Sequence, residues 1–229
     1  MRRLRGCAVA AIFLATFGAS AARAETSRTT SGHSGDYLAL VAFGSLAQVD
    51  DTRANAGTVL IHNDSDGSGG VGLALGYNWS KKGMPLRSEL ELHYRFRFDY
   101  DMRIANQAGY ENNLHTQALL ANLYYDFSLS ERWTAYVGGG IGWARNNSEV
   151  ERVALLGGAK TKRDDTTDSL AWNVALGVVW QVSENWDLDA RYRYIDLGEI
   201  ETGPHSDGTT FKAQSYFSHD FLLGLIYRF

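Results

Sequence analysis

Cysteine and proline are both scarce in this chain of 229 residues. The one cysteine, Cys7, lies near the N-terminus, and there are two prolines. A chain with no second cysteine has no disulfide framework. No stretch approaches the 18 consecutive apolar residues of a transmembrane helix. These scarcities argue against a disulfide-stabilised secreted domain and against a helical membrane protein.

The first 24 residues have the pattern of a cleaved secretory signal. Three arginines fall within the first five residues, an apolar stretch follows at 7–19, and an A-x-A cleavage site ends at Ala24. The apolar stretch is shorter than the roughly 20 residues that a membrane-spanning helix needs. We therefore expect cleavage after Ala24 rather than retention of residues 1–24 as an N-terminal anchor.

The expected mature chain, residues 25–229, is acidic. Cleavage would remove four of the 22 Lys and Arg, none of the 26 Asp and Glu, and also Cys7, which leaves a net charge of 18 − 26 = −8. This charge argues against a nucleic-acid partner.

Residues 87–101, "RSELELHYRFRFDYD", alternate between ionisable and apolar side chains. A period of two indicates a β-strand, because successive side chains leave a strand on opposite faces. The ionisable set is Glu89, Glu91, His93, Arg95, Arg97 and Asp99. The apolar set is Leu90, Leu92, Tyr94, Phe96, Phe98 and Tyr100. The question is which of these two faces points inward.

Seven further segments alternate in the same way, so the sequence predicts eight strands. Counting every second residue, the predicted outward sets lie at 37–43, 71–79, 119–127, 133–143, 170–180, 186–194 and 221–229. Tight turns are expected near 80–85, 128–132 and 182–185. Longer polar stretches at 45–67, 101–113, 145–167 and 198–213 are rich in Asp, Asn, Gly, Ser and Thr and read as loops. Alternating short and long connections predict an up-and-down meander.

The apolar faces of these strands are expected to point outward into lipid. A soluble sandwich would bury them against each other, but the aromatic residues gather beside the short turns, where a barrel would place them in one ring: Trp79, Tyr125, Phe127, Trp133, Trp180, Trp186, Tyr227 and Phe229. Such a ring suits a membrane interface. The pattern therefore favours an all-β, eight-stranded antiparallel up-and-down transmembrane β-barrel over a secreted soluble β-protein. We then expect residues 25–35 to form a short periplasmic segment and the rest of the mature chain to form one β-barrel domain.

The opposite faces would then fill the lumen. Small residues such as those at 70–76 leave room for charged side chains on other strands. Buried charges are tolerated when they are paired, and acids at 89, 91, 187 and 189 can meet arginines at 95, 97, 191, 193 and 228. We expect this network to close the lumen rather than to line a pore.

The chain resembles the small eight-stranded outer-membrane barrels: the OmpA-type transmembrane domain, OmpX and the opacity-protein-like "outer membrane protein beta-barrel" group. The resemblance lies in "WTAYVGGGIGWA" at 133–144, "NVALGVVWQVSENWDLDARYRYIDLG" at 173–198 and the ending "HDFLLGLIYRF". It implies export to the outer membrane of a Gram-negative bacterium. It also implies recognition of Phe229 by the barrel assembly machinery. OmpA continues into a peptidoglycan-binding domain that does not follow here, so no cell-wall tether is expected.

Two groups of His, Ser and Asp raise the possibility of hydrolytic chemistry, since some barrels of this kind modify lipid A. They are His205, Ser206 and Asp207, and Ser218, His219 and Asp220. Adjacent residues of an extended segment point to opposite faces, so neither group predicts a working triad. The acidic stretch "NDSDGSGG" at 63–70 does not fit a calcium loop. No catalytic residue, metal ligand or cofactor site is predicted.

Three functions remain open from the sequence. The leading hypothesis is a non-enzymatic outer-membrane protein that supports envelope integrity and presents its loops for adhesion or contact with a host or the environment. The alternatives are a small porin-like channel and a lipid A-modifying enzyme. The expected partners are outer-membrane lipid and lipopolysaccharide, the barrel assembly machinery and, through the loops, host surface molecules.

Overall fold

The computed structural model describes residues 35–50, 53–54, 59–61, 65–104, 109–153, 161–202, 211–213 and 215–229. Side chains are described for 35–46, 67–96, 114–149, 165–199 and 216–229. The expected signal peptide and almost all of the segment 25–35 lie outside the described residues. Within the described part of the chain, no helix is long and apolar enough to cross a bilayer.

Eight long strands make up the fold. They are β1 (Asp36–Asp50), β2 (Ser65–Asn78), β3 (Leu86–Ile104), β4 (Gly109–Ser128), β5 (Trp133–Val153), β6 (Thr161–Gln181), β7 (Trp186–Asp196) and β8 (Ser215–Arg228). Each pairs antiparallel with the next, and β8 pairs back onto β1. The sheet is therefore a closed eight-stranded barrel, which confirms the predicted fold class.

Four short strands lie beyond one end of the barrel. Val59–Ile61 pairs with the end of β3. Ile200–Thr202, Phe211–Ala213 and Arg53–Ala54 form a separate three-stranded sheet. The connection after β1 and the connection between β7 and β8 thus meet through backbone hydrogen bonds.

The three predicted tight turns are confirmed. Between β2 and β3 the chain makes a 3-10 turn, Trp79–Lys82, that Asn78 caps at its start and Gly83, with φ of 74°, at its end. The turns at 129–132 and 182–185 close by backbone hydrogen bonds to the first residue of the following strand. The backbone N–H of Phe229 donates to the Asp36 carbonyl at 3.2 Å, so both barrel termini lie at this same end.

The loops predicted at 101–113 and 145–167 are largely strand instead. Pairing between β5 and β6 continues from Trp133–Trp180 as far as Arg152–Thr161, and β4 pairs with β5 back to Gly109. At the start of this region both faces of β5 carry polar residues, since Asn146 and Ser148 are buried on the inward face and Arg145 is exposed on the other. Without an apolar face the sequence lacks the alternation of a half-buried strand and is typical of a loop.

The outward face predicted for β1 was also wrong. Tyr37, Ala39, Val41 and Phe43 point inward and are buried, whereas Leu40 and Leu46 are exposed. Both faces of this strand are apolar, so alternation alone does not distinguish them. For the other seven strands the outward assignment is confirmed where side chains are described, including Leu90, Leu92, Tyr94 and Phe96; the side chain of Phe98 lies outside the described residues.

Candidate functional site: the lumen and rims of the barrel

The middle of the lumen is organised around Arg191 on β7. Its guanidinium contacts three carboxylates: Asp189 at 2.8 Å, Glu91 at 3.3 Å and Glu89 at 3.4 Å. It also donates to the hydroxyl oxygens of two inward tyrosines, Tyr136 at 2.8 Å and Tyr124 at 3.0 Å. Inward positions of β3 and β7 thus place acids and bases opposite each other at one level.

A second layer lies nearer the outer end. Arg193 bridges Glu91 at 2.6 Å and Asp220 at 2.9 Å. Arg95 reaches Asp220 from the other side at 2.8 Å. Ser218 donates to the same carboxylate at 2.7 Å. These groups are buried, and each charge meets an opposite charge, which is the condition under which ionised groups tolerate burial.

Inward glycines let side chains two strands apart touch. Gly76 lies between Tyr37 and Glu89 in the strand register, and the Tyr37 hydroxyl donates to Glu89 at 2.7 Å across it. Gly177 lies in the same way between Tyr136 and Arg191. Cβ atoms at these glycines would overlap the tyrosine rings. The expected role of the small residues, to make room for larger inward groups, is confirmed at these positions.

Apolar and uncharged polar side chains continue the filling above the charged layers. Leu114, Ile195, Leu197 and Tyr216 are fully buried there. Asn146 accepts a hydrogen bond from Thr116 at 2.8 Å and donates to the Leu197 carbonyl at 3.0 Å. This upper layer closes the lumen on the side of the long connections.

The predicted ion pairs are confirmed for three of the five arginines: Arg191 and Arg193 in the layers described above, and Arg228 with Asp187 at the short-turn end. Arg95 also forms an ion pair, but with Asp220, an acid that the prediction did not include. The side chain of Arg97 lies outside the described residues. The sequence analysis missed Arg87, which contacts Asp126 at 2.9 Å, and the inward tyrosines. Arg87 and the inward tyrosines of β4 and β5 occupy the alternate positions that face the lumen, and this spacing could have identified them from the sequence.

The two groups considered for hydrolytic chemistry do not assemble in the described residues. Ser218 and Asp220 point into the lumen and are held by Arg95. His219 lies on the opposite face, where its Nδ1 hydrogen-bonds to the Tyr192 hydroxyl at 2.7 Å. The group at 205–207 lies outside the described residues.

The outer surface carries two aromatic belts. The predicted ring at the short-turn end is present, with contacts between Trp133 and Trp180 and between Trp186 and Tyr227. A second belt, which the sequence analysis missed, lies towards the other end: Tyr94, Phe96, Trp143, Trp172, Tyr192, Tyr194, Phe217 and Phe221. Between the belts the exposed side chains include Leu73, Leu90, Leu123, Val137, Val174, Leu188 and Leu223.

A closed barrel with an apolar outer band, aromatic belts at both edges and a polar interior is the architecture of an integral outer-membrane barrel. The family model for the outer membrane protein beta-barrel domain matches residues 9–229, so the chain belongs to that family and is a protein of the Gram-negative outer membrane. The short turns correspond to the periplasmic side and the long connections to the outside.

The chain is also similar to individual outer-membrane and bacterial surface proteins. Outer membrane protein PagN of Salmonella typhimurium is 27% identical over 124 residues, which is 52% of each chain. The match thus spans about half of that protein. Neisserial surface protein A is 21% identical, with a TM-score of 0.52 over 87% of this chain and 100% of its own. OprG of Pseudomonas aeruginosa is 14% identical, with a TM-score of 0.52 over 86% and 97%. At these identities the solved structures show the shared fold.

Proposed function

We propose that this protein is a non-enzymatic outer-membrane barrel whose extracellular side mediates adhesion or contact with a host or the environment, and which also supports envelope integrity. The observation that carries the proposal is the continuation of the sheet outside the membrane. From Trp143 in the outer belt, β5 runs about ten more residues to Val153, paired with β6 throughout that run as far as Arg152. At about 3.3 Å per residue this is roughly 30 Å of strand.

The protruding part of β5 and β6 carries exposed polar and charged side chains. Arg145 and Asp168 pair across the strands at 2.9 Å, and the Arg145 guanidinium lies over the Trp143 ring. The hydrogen bond and charge from Arg145 hold the pKa of Asp168 below its usual value. An exposed aspartate is ionised throughout the physiological pH range even without this shift, so the surface presents a pair of opposite charges to a partner.

The lumen supports this proposal over transport. Ion pairs and buried side chains fill it at successive levels, as expected for eight strands, whose interior is just wide enough for side chains. The engagement of Ser218 and Asp220 by Arg95 supports the proposal over lipid A modification. We further propose three partners. Host surface molecules bind the outer loops, lipopolysaccharide contacts the outer belt, and the barrel assembly machinery recognises Phe229.

The test compares attachment by the full chain and by a shortened variant. The chain is expressed on a non-adherent Gram-negative host, and binding to cultured host cells and to immobilised matrix proteins is counted. In the variant, residues 150–163 are removed and Glu149 is joined to Asp164, its register partner, by an Asn-Gly hairpin turn. The full chain is expected to increase attachment, and the variant is expected to lose the increase.

Heat-modifiable gel mobility serves as the control, because it reports whether the shortened barrel still folds. The shortened variant keeps every pair within the membrane band, so it is expected to fold. No attachment by the full chain on any surface tested, or full attachment by the folded variant, contradicts the proposal.

A further inference from the structure

The charges of the three periplasmic turns differ in sign. The β2–β3 turn holds Lys81 and Lys82 and no acid, whereas 129–132 holds one acid and one base and 182–185 holds one acid. Two of the five lysines in the sequence occupy this one turn. The turn is exposed and lies at the rim where the periplasmic leaflet of the membrane ends.

Lys82 is held at the level of the aromatic belt. Its ammonium group lies over two rings, 4.7 Å from the centroid of Trp79 and 5.2 Å from that of Tyr77. Trp79 is itself fixed, because its indole N–H donates to Ser88 at 3.0 Å. Cation–π contacts of this kind restrain a side chain that would otherwise move freely in water.

We propose that the β2–β3 turn is a binding site for the phosphate of an anionic phospholipid in the periplasmic leaflet. Belt aromatics mark the headgroup level, and Lys82 is tied to them, so its charge stays where lipid phosphates lie. Lys81 adds a second charge beside it. Each lysine near an anionic membrane surface contributes about fivefold to local association. The occupant is a lipid phosphate rather than a soluble anion because the site is continuous with the membrane-facing surface.

The expected absence of cysteine from the mature chain provides a clean probe. Met84 is exposed in the same turn, and Met84→Cys carries a single environment-sensitive fluorophore. The refolded mature barrel is placed in two vesicle preparations. One contains a small fraction of spin-labelled phosphatidylglycerol and the other the same fraction of spin-labelled phosphatidylcholine, each labelled at carbon 5 of an acyl chain. Spin-labelled lipid that resides beside the turn quenches the fluorophore.

At low salt and equal lipid fraction, spin-labelled phosphatidylglycerol is expected to quench the fluorophore at least about fivefold more than spin-labelled phosphatidylcholine. The difference is expected to be smaller at 1 M salt, because salt screens the lysine charges. The double variant Lys81→Gln/Lys82→Gln is expected to remove the difference. The matched control is Lys162→Gln/Arg163→Gln, which makes the same change of charge at the extracellular end of β6 and is expected to retain the difference.

Equal quenching by the two lipids in the folded barrel overturns the proposal. So does a preference that survives in Lys81→Gln/Lys82→Gln. Inorganic phosphate is compared with chloride at matched ionic strength, and loss of the preference in phosphate alone shows a site for a free anion instead of a lipid. Gel mobility confirms folding of each variant before the comparison.

Discussion

Among the described side chains, Arg87, Arg95, Arg191 and Arg193 are each held by more than one partner in the lumen, and Arg191 has the most extensive set. It contacts three carboxylates and two tyrosine hydroxyls. Removing one member of a buried ionic network leaves the remaining charges desolvated and unpaired, which costs more than the network itself contributes. The lumen therefore fixes the arrangement of its side chains without being a large source of stability.

We expect Arg191→Ala to lower the free energy of unfolding by about 3–5 kcal/mol. Urea unfolding of the refolded barrel in lipid vesicles measures the change. The comparison variant is Arg145→Ala, which removes an exposed pair in the protruding sheet and is expected to leave the unfolding midpoint unchanged. An unchanged midpoint for Arg191→Ala would count against a packed, ion-paired lumen.

The alternation of apolar and polar residues predicted the outward face correctly for seven of the eight long strands, where their side chains are described. It failed for β1, because Leu40 on one face and Val41 on the other are equally apolar. The information that decides the face lies in a different strand. Gly70 and Gly76 of β2 leave space for Phe43 and Tyr37. The sequence of β1 alone therefore does not decide which of its faces points inward.

The strands that protrude beyond the outer belt were predicted as loops for a different reason. Strand prediction relied on a contrast between apolar and polar faces, and this contrast exists only where one face meets lipid and the other meets the lumen. Beyond the outer belt neither face of β5 and β6 meets lipid, and the buried inward residues Asn146 and Ser148 are polar. Together with Asn147 they therefore read as loop residues, although all three pair in the sheet. The ion pairs of the lumen were predictable because they lie within the membrane band.

A double-mutant cycle tests the corrected orientation of β1. Gly76→Ala places a methyl group against the Tyr37 ring, and overpacking of this kind costs about 1–3 kcal/mol. In a Tyr37→Ala background the same substitution is expected to cost little, because the ring is gone. The coupling is measured from four urea unfolding curves. Additive effects within about 0.5 kcal/mol would show that Tyr37 does not lie over Gly76.

The lumen of the barrel is packed at successive levels from Arg228 at the periplasmic end to Leu197 near the outside. A barrel filled in this way is expected not to conduct ions. The purified, refolded mature chain is added to a planar bilayer, and current is recorded across a range of voltages. Silence from a demonstrably folded barrel supports a function on the surface, and stable reproducible channels would raise transport above adhesion.

Phe229 is the residue through which we expect the cell to assemble the barrel. Its side chain is exposed beyond the last pair of β8 and contacts the Tyr227 ring on the outer surface, so it is not part of the lumenal packing. Phe229→Ser is therefore expected to lower the amount of heat-modifiable barrel in outer membranes several-fold while refolding into detergent proceeds as before. Leu223→Ser, on the same face of β8 but far from the end, is the control for general loss of hydrophobicity. Equal assembly of Phe229→Ser and the unchanged chain contradicts the expectation.

The pairing of β1 with β8 joins Tyr37 to Arg228 and Asp50 to Ser215, the strands that leave the ribosome first and last among the eight. Until the last strand has been exported, β1 has one open edge, and open edges pair readily with the wrong chain. Contacts so distant in sequence also form slowly. The barrel therefore cannot close strand by strand during synthesis, and the whole chain must be kept from aggregating in transit until both ends are available together.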